Sequence, residues 1–233
     1  MVADDSALDA ISIGEQSFLS AMKPGAMHVL MSTILPITAE RLASAHRERD
    51  TSYVAPPVFG RPAAAAAGAL WICLSGSDYD KARLVPILTP LCQQHHDFGT
   101  AHGAANVVKL AGNFMIASAI ESMAEAFVFG EKNGLDKKTL TEFFGDTIFS
   151  CPIYKNYGSI IADERFDPAG FRLALGHKDV QLVAETARTS NVPMPFLGTL
   201  LNRYAARVAK GGSDLDWTSI ALDVASDAGL NRQ

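Results

Sequence analysis

Residues 106–114 read Asn-Val-Val-Lys-Leu-Ala-Gly-Asn-Phe, and Lys109 is the only ionisable side chain between Ala104 and Ile120. Burying an ammonium costs several kcal/mol or a shifted pKa, so one charge in such an apolar segment needs a reason. The stretch from about Ala104 to Lys132 is apolar nearly all round, which predicts a central, buried helix ended by Asn133-Gly134. On that helix Asn106, Lys109 and Asn113 are spaced i, i+3, i+7 and form one polar stripe. Gly112 removes a side chain beside the stripe and leaves room for something to approach. A lysine between two amides in an apolar wall can serve as a general acid or base with a lowered pKa. A lysine whose stem packs while its head reaches water is the competing reading.

Working outward, the segment before Gly103 alternates short strand-like and helix-like runs, which points to α/β architecture. Met27–Met31 reads as a strand. Ser32 or Thr33 suits the cap of the next helix, with Pro36 in its first turn and its end near Arg49. Ser52–Ala55 and Leu70–Leu74 read as further strands. A helix is expected from Asp78 to about Gln93, kinked or shortened by Pro86 and Pro90. After Gly103 the pattern is all helix, with further helices over about 137–148, 171–190, 195–210 and 214–228. The expected organisation is an α/β part over 1–103 and an all-helical part over 104–233.

Composition excludes several classes. The chain has 233 residues, 48% hydrophobic and 19% charged, with a formal net charge of -5. No basic cluster stands out, which argues against nucleic acid or anionic membrane as partner. No apolar run reads as long and uninterrupted enough to span a bilayer. The acidic start Met1-Val2-Ala3-Asp4-Asp5 lacks the basic opening of a signal peptide. Cys73, Cys92 and Cys151 make neither a disulfide framework nor a zinc pattern, and His95-His96 reads as a surface turn. No metal site and a reducing, cytoplasmic compartment are the expectations.

Two more stretches carry chemistry. Ala55-Pro56-Pro57-Val58-Phe59-Gly60-Arg61-Pro62 is a rigid loop directly after a strand, where ligands of open α/β sheets bind; a stiff turn is the plainer reading. Ser32-Thr33 also follows a strand and precedes a helix start, where backbone N–H groups favour anions. In His177-Lys178-Asp179, His177 falls on a solvent stripe with Gln181, Glu185 and Arg188. Lys178 lies about 100° away beside Leu175 and Leu182, unusual for a solvated lysine, although a boundary position competes.

In this order, the stretches 23–34, 55–62, 103–113 and 177–179 resemble the β-hydroxyacid dehydrogenase family, relatives of 6-phosphogluconate and 3-hydroxyisobutyrate dehydrogenases. The resemblance implies a Rossmann-like domain joined to an all-helical domain by the helix of Lys109. It implies NAD or NADP as cofactor, a hydroxy acid or carbonyl as the small-molecule substrate, and a homodimer or higher homo-oligomer. Lys109 would be the proton donor in carbonyl reduction or the base in alcohol oxidation, with Asn113 holding the substrate oxygen. Ser32, Thr33 and Lys178 would border the nicotinamide. Phe59, Gly60, Arg61 and Asn106 would face the substrate.

Two departures from the family pattern matter. Members carry a Gly-x-Gly-x-x-Gly turn that cradles the pyrophosphate, and no two glycines here are spaced Gly-x-Gly. The first βαβαβ half of the Rossmann domain, roughly 60–70 residues, is therefore expected to be absent, leaving a partial domain, an exposed sheet edge and an inactive chain. The family's Val-Ser-Gly-Gly loop is Val-Phe-Gly-Arg here, so a bulky ring replaces a hydroxyl and a small 2-methyl-3-hydroxy acid fits poorly. Related imine reductases commonly replace the lysine, and retained Lys109 favours carbonyl or alcohol chemistry. An imine reductase-like enzyme and a non-enzymatic helical dimerisation module with a vestigial half-Rossmann domain are the alternatives.

Overall fold

The computed structural model describes residues 1–14 and 17–230. Two compact units divide at Met1–Gly112 and Asn113–Gln233. The first unit is α/β. It opens with α1 (Asp5–Ser12), capped by the Asp4 carboxylate, which accepts from the Ala7 N–H, and the short α2 (Phe18–Ala21). Strand β1 (Met27–Val29) runs parallel to β2 (Ser52–Val54), and α3 (Pro36–Arg47) makes the crossover. Strand β3 (Val58–Phe59) leads through α4 (Pro62–Ala66) to β4 (Leu70–Leu74), to which it pairs antiparallel. Helix α5 (Asp78–Leu88) and a 3-10 turn (Thr89–Leu91) then return the chain to β5 (Cys92–Asp97), parallel to β4.

The residues of β2 show how the layers form. Tyr53 and Ala55 point into one core with Leu30, Ile34, Leu42 and Leu8. Val54, between them, points into a second core with Ile72, Leu74, Leu84 and Leu88. The strand's period of two thus feeds a helical layer on each face, the arrangement that parallel strands require.

Several expectations need correction. Neither Ser32 nor Thr33 caps α3: its N-cap is Leu35, whose N–H is held by the Asp5 carboxylate. No capping side chain accepts at this end: Pro36 in the first turn has no N–H, and the Thr38 N–H donates to the Leu35 carbonyl at 3.1 Å. His95 and His96 do not form a turn but lie within β5, opposite Ile72 and Cys73. The run Cys92-Gln-Gln-His-His-Asp97 is too polar to read as a strand, and its neighbour β4 supplies the ladder that makes it one. Pro86 sits inside α5 without ending it, and the break comes at the 3-10 turn holding Pro90. The loop 55–62 contains β3, and four alanines, Ala63 to Ala66, form most of α4.

Helix α6 (Ala104–Lys132) is continuous for 29 residues, as the apolar stretch predicts. By length and composition it is long and apolar enough to cross a membrane, contrary to the reading by uninterrupted runs. Its apolar side chains are partly consumed in packing, with Leu110, Ala117, Ile120, Met123 and Phe127 buried. It is not buried all round, since Val107, Met115 and Phe129 are exposed.

The second unit continues α6 and adds α7 (Lys137–Asp146), α8 (Pro152–Ala162), α9 (Leu173–Thr189), α10 (Pro195–Ala209) and α11 (Ala221–Asp227). The helix expected over 214–228 is divided, its first turn being 3-10 at Trp217–Ile220. Trp217 is the hub of this unit, edge-on to Phe171 at 4.8 Å and to Tyr157 at 5.6 Å between ring centres. Inside the unit Glu121 is fully buried and pairs with Arg203 at 2.9 Å. Burial pushes its carboxyl up, while the guanidinium pulls the other way.

Candidate active site

In the first unit Lys109 on α6 meets the loop after β2. The Lys109 ammonium stands 4.2 Å from the centre of the Phe59 ring. A Cβ on Gly112 would lie 2.4 Å from Phe59 Cζ, so the ring occupies the notch that this glycine leaves in the helix. Phe59 is positioned by β3, where it pairs opposite Trp71. Gly60 follows with φ +142°, and a Cβ there would meet the Leu70 side chain at 2.6 Å, so only glycine lets the chain turn so close to β4. Arg61 is the N-cap residue of α4 and half-buried.

Asn106 is 1% exposed, and neither its Nδ2 nor its Oδ1 has a partner among the described residues. A buried amide with both atoms unpaired is rare in a folded protein and points to a ligand or ordered water. One donor and one acceptor suit a carboxamide or a substrate oxygen, so this residue fits a nicotinamide cofactor or its substrate. Ser32 is buried, and its hydroxyl accepts from the Val2 N–H at 2.8 Å. Its oxygen is thus engaged within the protein. Thr33 beside it is half-buried. Sequence reading overlooked Cys73 on β4: burial pushes its thiol up, and the charge of Lys109 is near enough to oppose that.

In the second unit Asn113 and Lys178 converge on one carboxylate. Asn113 Nδ2 donates to Asp179 Oδ2 at 2.5 Å, and Lys178 Nζ lies 2.7 Å from Asp179 Oδ1. Asp179 is 2% exposed and carried no role in the sequence reading. Its signal was present, because Asp179 stands three residues after Gly176 and four before Val183, both on the buried face of α9. On the outer face, His177 lies 3.3 Å from Gln181, and Arg188 pairs with Glu185. Among the described residues no group of three or more His, Cys, Asp or Glu could hold a metal ion.

Residues 1–103 match the NAD binding domain of 6-phosphogluconate dehydrogenase. Residues 103–223 match the NAD-binding domain of NADP-dependent 3-hydroxyisobutyrate dehydrogenase. The chain is 36% identical over 220 residues to the uncharacterised oxidoreductase YfjR of Bacillus subtilis, covering 94% of this chain and 77% of that one. It is 28% identical over 220 residues to the 2-hydroxy-3-oxopropionate reductase of Escherichia coli, covering 94% and 75%. In fold it is similar to the crystal structure of 3-hydroxyisobutyrate dehydrogenase from Salmonella typhimurium, with a TM-score of 0.86 at 22% identity, over 95% of this chain and 77% of that one. The chain belongs to the β-hydroxyacid dehydrogenase family and is an NAD(P)-dependent oxidoreductase of the 3-hydroxyisobutyrate dehydrogenase-like kind.

Proposed function

We propose that the chain interconverts a hydroxy acid and its carbonyl counterpart, with Lys109 as the acid–base residue. The observation that carries this is the stripe on α6, where Lys109 follows the unpaired buried amide of Asn106 by one turn. Bound NAD(P) supplies or accepts the hydride. Lys109 protonates the carbonyl oxygen in reduction and takes the hydroxyl proton in oxidation. Asn113 orients the substrate oxygen, its amide turned by the bond to Asp179. Asn106 gives a hydrogen bond to the substrate, and Ser32, Thr33 and Lys178 border the nicotinamide.

Phe59, Gly60 and Arg61 shape the substrate end. A ring in place of a small hydroxyl favours a substrate with an apolar portion over a small 2-methyl-3-hydroxy acid, and Arg61 supplies charge for a carboxylate. The functional division proposed is a nucleotide-binding part over 1–103 and a substrate and dimerisation part over 104–233. No Gly-x-Gly turn occurs in these residues. The 233-residue chain alone should therefore bind NADH or NADPH only weakly, which calorimetry at micromolar ligand would contradict by a clear isotherm.

The test is a chimera that places a family member's Gly-x-Gly-x-x-Gly βαβ unit ahead of residue 1, assayed with hydroxy acids, aldehydes and cyclic imines. Lys109→Met should lower kcat by about 10²–10⁴-fold while hardly changing cofactor affinity. Retention of kcat within about threefold would remove Lys109 from the acid–base role. Turnover of cyclic imines alone would assign the chain to imine reduction instead.

A further inference from the structure

The position that the family fills with a serine holds Phe59, and its ring makes two contacts within the protein. One face lies 4.2 Å from the Lys109 ammonium, well inside the range over which an aromatic quadrupole attracts a cation. Its edge, Cζ and Cε1, lies 2.4 and 2.6 Å from where a Cβ on Gly112 would be. Gly112 is three residues after Lys109, so both belong to one face of α6. The backbone of Phe59 is held as well, by its pairing with Trp71 and by the tight turn at Gly60. Ring, glycine notch and ammonium thus form one interlocking set.

We propose that Phe59 is a positioning residue for Lys109, seated in the Gly112 notch and holding the ammonium by a cation–π contact. This rests on the reading of Lys109 as the acid–base group and adds how that group is aimed. A lysine has four rotatable bonds, and an acid must present its proton in one place when negative charge develops on the substrate oxygen. An aromatic face restrains the ammonium and favours its charged form without itself taking a strong hydrogen bond from it. The glycine is part of the device. Alanine at 112 would collide with the far end of the ring, which is movable, so the expected result is displacement of Phe59 and not unfolding.

The experiment uses the 233-residue chain and needs no turnover. Lys109 is titrated by the pH dependence of its reaction with acetic anhydride, quantified on its peptide by mass spectrometry, with Lys23 as internal reference. Singly to triply fluorinated phenylalanine at position 59 keeps the ring's shape while draining its negative face. The midpoint for Lys109 should fall stepwise along that series, to about half a pH unit to one unit below the parent. Phe59→Leu and Gly112→Ala should match the end of the series, and Phe59→Tyr should keep the parent midpoint. A midpoint unmoved by full fluorination and by Phe59→Leu would overturn the proposal. If the midpoint moves but Lys109→Met in the chimera keeps its turnover, the contact stands and the acid–base assignment falls. If Lys109→Met abolishes turnover and the midpoint stays fixed, the reverse holds.

Discussion

The amide of Asn113 on α6 and the carboxylate of Asp179 on α9, 66 residues apart in the chain, share a hydrogen bond of 2.5 Å. Asp179 also holds Lys178, so one buried carboxylate fixes two of the polar side chains assigned to the site. Asp179→Ala leaves an amide and an ammonium without that partner. Breaking a buried pair costs about 3–5 kcal/mol, and the one-fifth exposure of Lys178 brings this to about 3 kcal/mol. Asp179→Asn, which keeps the shape and one acceptor, should cost about half as much. Urea unfolding followed by helical circular dichroism measures both, and equal, negligible losses would show that the carboxylate is incidental.

Gly176 on α9 tests the packing of the helical unit. A Cβ there would stand 2.9 Å from Tyr204 Cε1 and 3.0 Å from Trp217 Cε3, both in fully enclosed rings. Alanine gains about 1 kcal/mol of helix propensity. Overpacking costs about 1–3 kcal/mol, and neither ring has room to withdraw. Gly176→Ala should therefore lower the unfolding midpoint despite the better helix former. A raised midpoint would mean that the aromatic cluster yields more easily than its burial suggests.

The α/β unit should weaken in mild acid. His28 Nδ1 lies 3.1 Å from His46 Nε2, and His46 Nδ1 lies 2.9 Å from the Thr51 hydroxyl. Tyr53 and Phe18 close around the pair. Burial, and then repulsion from His46, pulls His28 down to about 4, and burial lowers His46 too. Both folded values lie below the unfolded 6.5, so the unfolded chain takes up protons that the folded chain refuses. The stabilisation is complete above about 6.5 and is lost as pH falls towards 4, with about 2 kcal/mol at stake after solvent screening. Stability at pH 7.5 and pH 5 should differ accordingly, and His28→Gln should flatten the difference.

The helical unit exposes Phe129, Leu135, Phe143 and Ile148, each more than half accessible. Apolar side chains in such number on one unit are expected to be covered by a second copy. Sedimentation of the chain at micromolar concentration should give a homodimer, and charged substitutions at Phe143 and Ile148 should shift it towards monomer. A monomeric parent with intact helical signal would remove the dimer from this reading.

Much of the molecule was legible in the chain. Periodicity and terminators located α6, α9 and α10, because a helix's hydrogen bonds are local and its apolar stripe repeats in the sequence. Apolar runs located β1, β2 and β4, and the ordered motifs around Lys109 identified the family. Tertiary structure decided what depends on distant partners. β5 is a strand only because β4 lies beside it, and β3 only because the turn at Gly60 returns the chain to Trp71. Asp5 holds the Leu35 N–H ahead of α3 from 30 residues away, and Val2 engages the hydroxyl of Ser32. Asp179 became a central residue when α9 packed it against Asn113. The sequence named the charge on the apolar helix and the glycine beside it. Only folding placed the Phe59 ring in that notch, because a contact across 50 residues of chain leaves no period to read.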